Sequence, residues 1–204
     1  LAHPLDGPME ELGPIAEWLA EWKWDGIRAQ LVRRQRRTYL WSRGEELITD
    51  RFPEIEAAGS VLADGAVLDG EILPWKHGLP LPFAQMQRRV GRKILTDRIL
   101  SEVPVVLLAF DLLELDGEDV RERELRWRRE RLEEVAAPAA PGILLSPLVE
   151  AASWEELAAR RTEARRRHVE GLMLKRRESP YRVGRRRGDW WKWKIQPYAV
   201  DAVL

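Results

Sequence analysis

Lys23 stands in the string Glu21-Trp22-Lys23-Trp24-Asp25-Gly26-Ile27-Arg28, a setting that suits a nucleophile better than a surface charge. An amine attacks only when neutral. Its ordinary pKa of about 10.4 falls when it is buried or placed beside other cations. Lys192 and Lys194, in Trp191-Lys192-Trp193-Lys194, are the candidate neighbours, and they could also neutralise a phosphate under attack. Three further polar clusters are Ser42-Arg43-Gly44, Asp69-Gly70-Glu71 and Glu170-Gly171-Leu172-Met173-Leu174-Lys175. Phosphoryl-type transfer wants a divalent ion on hard oxygen ligands, and Glu71 and Glu170 are the best carboxylates for it. The chemistry such a set would perform is attack of an amine on a nucleotide phosphate. Each cluster alone has a plainer reading. A lone Lys-x-Asp-Gly is most often a turn, Asp-Gly-Glu a strand bulge, and a lysine pair a solvated face.

Strands would give these spacings meaning, because residues two apart share a face. Lys23 and Asp25 then point one way, as do Asp69 and Glu71, and Lys192 and Lys194, while Trp191 and Trp193 point into the core. The surrounding pattern predicts a short helix over 8–19 from the apolar spacing of Met9, Leu12, Ile15, Ala16 and Leu19. A hairpin of 27–32 with 38–41 follows, and Pro53 opens a helix to about Leu62. Next come a strand over 66–73 broken by Gly70, short helices at 82–90 and 96–100, and a buried strand over 103–113. A charged helix over 121–136 carries Leu125, Arg128/Arg129, Leu132 and Val135 at helical steps. Ser153, with Glu156 three residues on, forms a capping box for a helix reaching about His168. Strands close the chain at 171–176, 190–195 and 199–204. Hairpins outnumber βαβ units, so the fold class is α+β: two mainly antiparallel sheets with flanking helices and a groove between them.

The 204 residues suffice for one large domain, and 45% hydrophobic with 33% charged residues is an ordinary globular balance. No apolar run approaches the ~18 residues of a membrane span, and no partner membrane is expected. Leu1-Ala2-His3-Pro4 lacks the regions of a secretory leader. The absence of cysteine excludes disulfides and thiolate metal sites and makes the cytoplasm the default compartment. The first residue is not methionine and the last stretch reads as an interrupted strand, so a fragment of a longer polypeptide is expected. Net charge is zero but segregated: residues 160–194 hold fourteen Lys/Arg against four Asp/Glu, which can serve as an electrostatic footprint for phosphates on a neutral protein or can equally be a set of arginine-rich, solvated helix faces. Most of the ten tryptophans alternate within strands or sit on helices (Trp18, Trp127, Trp154) and read as core. His77 and His168 read as surface residues.

The order and spacing of all five clusters, together with Leu68-Asp69 and Phe110-Asp111, resemble the covalent nucleotidyltransferase superfamily. In particular they resemble the adenylation domain of ATP-dependent DNA ligases of the bacterial type. The likeness runs from about Glu21 to Lys194 and implies a nucleotidyltransferase (ATP-grasp-like) fold over residues 1–204. It implies that Lys23 attacks the α-phosphate of ATP and carries AMP covalently. Glu21 and the Trp22 backbone would meet the adenine edge, with Phe110 and Met173 on its two faces. Arg28 and Glu71 would hold the ribose region, and Arg43 a phosphate of the nucleotide or of the DNA. Glu170, with Glu71, would hold Mg²⁺ or Mn²⁺. Lys192 and Lys194 would clamp the α-phosphate. Asp25 and Asp69 would support the site, and Arg185 and Arg186 would face DNA. AMP would pass to the 5′-phosphate of nicked double-stranded DNA and the 3′-hydroxyl would displace it, in a bacterial cytosolic, nucleoid-associated monomer. Complete ligases continue into an OB-fold domain, and some carry an N-terminal DNA-binding domain. An RNA ligase or mRNA-capping guanylyltransferase of the same superfamily, or a non-catalytic nucleic-acid-binding module, are the competing readings.

Overall fold

A computed structural model describes residues 2–92, 94–184 and 187–195. The expected strand at 199–204 lies outside them. The architecture is α+β, with a smaller and a larger sheet. The chain begins with β1 (His3–Pro4), two 3₁₀ turns (Met9–Leu12 and Ile15–Glu17) and β2 (Trp18–Trp24). The helix expected at 8–19 is therefore absent. Gly13 takes φ +86° and Pro14 follows it, so neither the dihedral nor the missing amide N–H allows a helix to continue. Trp18 belongs to a strand, and its indole N–H donates to Leu12 O at 3.2 Å.

β3 (Ile27–Arg34) and β4 (Arg37–Ser42) form the expected hairpin. Pro53 does open α1 (Pro53–Gly59), which stops earlier than expected. Then follow β5 (Val67–Lys76), β6 (Leu79–Pro80), α2 (Phe83–Val90), α3 (Asp97–Glu102), β7 (Val105–Leu115) and β8 (Glu118–Asp119). The remaining elements are α4 (Leu125–Ala136), β9 (Ile143–Leu145), α5 (Trp154–Arg161), β10 (Val169–Arg176) and β11 (Trp190–Lys194). Ser153 Oγ accepts the Glu156 amide N–H at 3.2 Å, as a cap should, but the Glu156 carboxylate reaches back to the amide of Ala152. α5 ends at Arg161 and a 3₁₀ turn replaces its last expected turns. Among the described residues no helix is long and apolar enough to cross a membrane.

The smaller sheet has the order β1-β11-β10-β2. The larger runs β4-β3-β5-β7-β8, with β6 beside β5 and β9 beside β7. All pairs are antiparallel except β1 with β11 and β7 with β9. One core lies under the larger sheet, where Leu31, Leu68, Leu107 and Leu112 pack with Ile55 of α1 and Leu132 of α4. A second lies under the smaller sheet, where Trp18, Trp22, Leu172, Leu174 and Trp191 pack with Trp154 and Leu157 of α5. Trp18, Trp22, Trp154 and Trp191 are core, Trp24, Trp75, Trp127 and Trp193 pack half-buried against it, and Trp41 is exposed, while His77 and His168 are exposed, as expected.

Two seams join the sheets. On one side Leu148 bridges to Glu21, Val149 N donates to Ala20 O at 2.8 Å, and Ser146 N donates to Ala109 O at 2.8 Å. On the other, the connection from β10 to β11 is fastened to α4 and the loop before it. Arg126 N donates to Arg177 O, Leu125 N to Ser179 O, and Tyr181 N to Arg121 O, all between 2.7 and 2.9 Å. Arg128, wholly buried, forks onto Asp111 of β7 at 2.7 and 2.9 Å and also donates to Ser179 O at 3.2 Å. Paired in this way, a buried guanidinium retains all its partners at the point where helix, sheet and connection meet.

Candidate active site

Between the sheets opens a cleft of about 380 Å³, lined by Lys23, Glu170, Lys192, Lys194 and Met173 from the smaller sheet, by Arg28, Glu71 and Phe110 from the larger, and by Arg43 in the turn after β4. Glu21 and Trp22 line it too. Every residue that the sequence placed at the nucleotide is therefore on one surface. Asp25 and Asp69 are not among the lining residues, and Asp69 borders an adjoining groove. Arg185 and Arg186 lie outside the described residues.

Strand alternation alone does not assemble this set. On β10 Glu170 and Met173 are three apart, so a regular strand would point them to opposite faces. The pairing with β2 shows how both enter the cleft. Val169 pairs with Trp24 and Leu172 with Trp22, leaving Glu170 and Gly171 opposite Lys23 alone. This is a β-bulge, and Gly171 sustains it at φ +137°. The extra residue swings Glu170 onto the face of Met173, where its carboxylate pairs with the Lys23 ammonium. Lys194 Nζ donates to its other oxygen at 3.1 Å. The neighbour of Lys23 is thus a carboxylate shared with Lys194, rather than bare cations.

The larger sheet uses the same device. Asp69 pairs with Asp111 and Gly70 with Ala109, so Phe110 is the unopposed extra residue on β7, and its ring projects into the cleft. Lys175 Nζ lies 4.4 Å from the ring centroid and the Arg28 guanidinium 5.7 Å. Arg28 is held in turn by Asp69, through contacts of 2.7 and 3.2 Å. Asp69 and Glu71 share a face, since they oppose Gln30 and Arg28 on β3 without a slip.

Three participants went unassigned in the sequence. Lys175 is buried at 1% exposure and donates to Glu21 at 3.0 Å, beneath Phe110 and Trp190. Its signal was its place two residues beyond Met173 on the same strand face. Ser146 donates to Glu21 Oε2 at 3.3 Å and accepts from the Trp24 indole at 3.0 Å. Tyr181 donates to Asp69 at 2.7 Å and accepts from Arg28 at 2.8 Å. No spacing rule linked either residue to a partner more than a hundred positions away.

The electrostatics follow from this packing. Burial raises Glu71 to about 7 against the opposing pull of Lys23 and Arg28. Burial also pushes Glu170 up, but the hydrogen bonds and charges of Lys23 and Lys194 outweigh it and hold the carboxyl below its usual range. Asp25 is raised by burial and by Glu170, though Lys23 and Lys194 pull the other way. Burial opposes the charge on Arg28, yet Asp69 keeps that guanidinium above its ordinary range. Burial and Asp69 together raise the Tyr181 hydroxyl, so it stays a donor. Among the described residues no cluster of three or more His, Cys, Asp or Glu could hold a metal ion unaided. Glu71 and Glu170 at the cleft wall nevertheless suit Mg²⁺, which takes one or two carboxylates and completes its shell with water and substrate phosphate.

Comparison with known proteins shows the family. Residues 1–194 match the family model described as ATP dependent DNA ligase domain. A probable DNA ligase of Koribacter versatilis is 34% identical over 226 residues, covering 100% of this chain and 39% of that protein. A DNA ligase of Haloferax volcanii is 34% identical over 214 residues, covering 100% and 36%. A mycobacterial DNA ligase D solved in complex with ATP and MES superposes with a TM-score of 0.73 at 33% identity, covering 95% of this chain and 58% of that one. The chain thus spans well under half the length of the curated relatives it matches.

Proposed function

The chain belongs to the ATP-dependent DNA ligase domain family, and from that premise we propose that residues 1–204 form the adenylation domain of a ligase that seals nicked DNA. The observation that carries the proposal is the Lys23–Glu170 pair at the β10 bulge, facing a cleft whose lining holds six cationic side chains and three carboxylates. Such a surplus is suited to a polyphosphate.

In the proposed first step the Lys23 ammonium gives one proton to solvent, and its nitrogen then forms a bond to the α-phosphorus of ATP as the bond from that phosphorus to the pyrophosphate oxygen breaks; the second proton leaves with the pyrophosphate or to water. Glu170 aims the amine, and Lys192 and Lys194 offset charge on the α-phosphate. Glu21 Oε1, buried without a hydrogen bond among the described residues and 3.6 Å from the Arg129 guanidinium, is the acceptor left for an exocyclic amine of the base. Phe110 and Met173 cover its faces, and Arg28 and Glu71 meet the ribose. Mg²⁺ held by Glu71 and Glu170 would supply charge neutralisation at the phosphates. AMP then passes to the 5′-phosphate at a nick and the adjacent 3′-hydroxyl displaces it. Arg43, with Arg185 and Arg186, would contact phosphate, so DNA binding should depend on salt and little on sequence.

Incubation with ATP labelled at the α-phosphate and Mg²⁺, followed by denaturing electrophoresis, tests the nucleophile. Label should remain on the chain and vanish in Lys23→Ala; label that survives the substitution refutes the assignment. Sealing of a nicked DNA duplex by the full-length protein, compared with nicked RNA, tests the substrate.

A further inference from the structure

Arg28 belongs to two surfaces at once. It lines the nucleotide cleft and also an adjoining groove formed with Gln30, Trp41, Arg43, Arg121 and Arg182. Its guanidinium could turn toward either. What fixes it is a closed triangle of hydrogen bonds: Arg28 to Asp69 at 2.7 Å, Tyr181 to the same carboxylate oxygen at 2.7 Å, and Arg28 to the Tyr181 oxygen at 2.8 Å. Asp69 is fully buried and comes from β5. Tyr181 comes from the connection that leaves the smaller sheet, pinned through its own amide N–H to Arg121 O. Its ring meets Trp190, a cleft wall, edge-on at 5.7 Å. The triangle therefore exists only while that connection is seated on the larger sheet.

We propose that Tyr181 is a positioning residue for the adenylation reaction: through Asp69 it locks the Arg28 guanidinium at the boundary of cleft and groove, so ATP recognition depends on the β10–β11 connection being docked. This rests on the adenylation reading. A hydrogen bond to a charged group contributes more than one between neutral groups. The loss should fall on substrate binding, because Arg28 would touch the ribose region equally in the ground and transition states.

The test uses the full-length protein and Tyr181→Phe, which removes one oxygen and keeps the ring against Trp190. The half-saturating ATP concentration for self-adenylation should rise about tenfold, while the maximal rate changes less than about twofold and the thermal midpoint moves by no more than about 2 °C. In an Arg28→Ala background the same change should leave ATP affinity, followed by tryptophan fluorescence, unaltered. A purely structural tyrosine would instead lower the thermal midpoint with unchanged ATP dependence, and that result overturns the inference. So does an equal loss of affinity in both backgrounds. Failure of the unaltered protein to bind ATP or take up label would defeat the adenylation reading itself, and the inference with it. Binding and labelling that are indifferent to Tyr181→Phe would defeat only the inference.

Discussion

Lys23 and Glu170 face each other across two neighbouring strands only because Gly171 absorbs one surplus residue between them. Remove the surplus and the carboxylate turns to the tryptophan side of the sheet. The site is thus encoded by an irregularity in pairing as much as by residue type, which accords with the tendency of bulges to sit beside active sites and re-aim a side chain.

Gly171→Ala should expose this dependence. An added Cβ would press on the Trp193 carbonyl and come within 2.8 Å of Lys194 Cα, in a conformation that side-chain-bearing residues rarely adopt. The expected cost is about 1–3 kcal/mol of stability. A loss of AMP labelling of more than about tenfold should accompany it, because a small misplacement of reacting groups costs rate disproportionately. Denaturant melts and labelling kinetics check both. Wild-type labelling in the variant would show that the bulge is dispensable.

Lys175 and Glu21 form a pair with both side chains nearly dry, at 2% and 3% exposure. Lys175→Met should destabilise the domain by about 3–5 kcal/mol, since it strands a buried carboxylate whose remaining cation, Arg129, lies 3.6 Å away without a hydrogen bond. Adding Glu21→Leu should restore much of that stability in urea unfolding yet leave ATP affinity low, separating the structural contribution of the pair from recognition of the base. Recovery of ATP binding in the double variant would argue against any part for Glu21 at the adenine.

Glu71 supplies a pH prediction. Its folded pKa of about 7 lies above the ordinary 4.5, so the folded state holds its proton more tightly than the unfolded chain. Its favourable contribution is complete below about pH 4.5 and is lost as pH rises through about 7. Glu71→Gln should therefore flatten the stability profile, gaining on the wild type on the order of 5 °C in thermal midpoint at pH 8 relative to pH 5. Parallel profiles for the two proteins across that window would contradict the assignment.

Much of the cleft was legible because period-two spacing in strands is a strong signal. Lys192 with Lys194, and Asp69 with Glu71, share faces as their spacing requires, and Trp191 turns to the core. Glu170 stood out as a carboxylate and the resemblance added Phe110, but alternation by itself would have misdirected both, because a bulge leaves no mark in a string of residue types beyond a permissive glycine. The helix expected at 8–19 failed where apolar spacing outvoted Gly13-Pro14, the stronger local signal. Buried ion pairs were the least readable feature. Arg128 looks like any arginine on a charged helix, and only the approach of Asp111 from β7 takes it out of water. Likewise Tyr181 sits 112 positions from the carboxylate it serves.

Phe110 and Asp111 are adjacent yet serve opposite masters: one ring forms a wall of the cleft while the next carboxylate is bolted to Arg128 beneath the sheet. The tilt of that wall is consequently settled during folding, by a helix that never meets the ligand. A flat base arriving in the cleft would find its stacking partner already immobilised, and little ordering entropy would remain to be lost at the moment of capture.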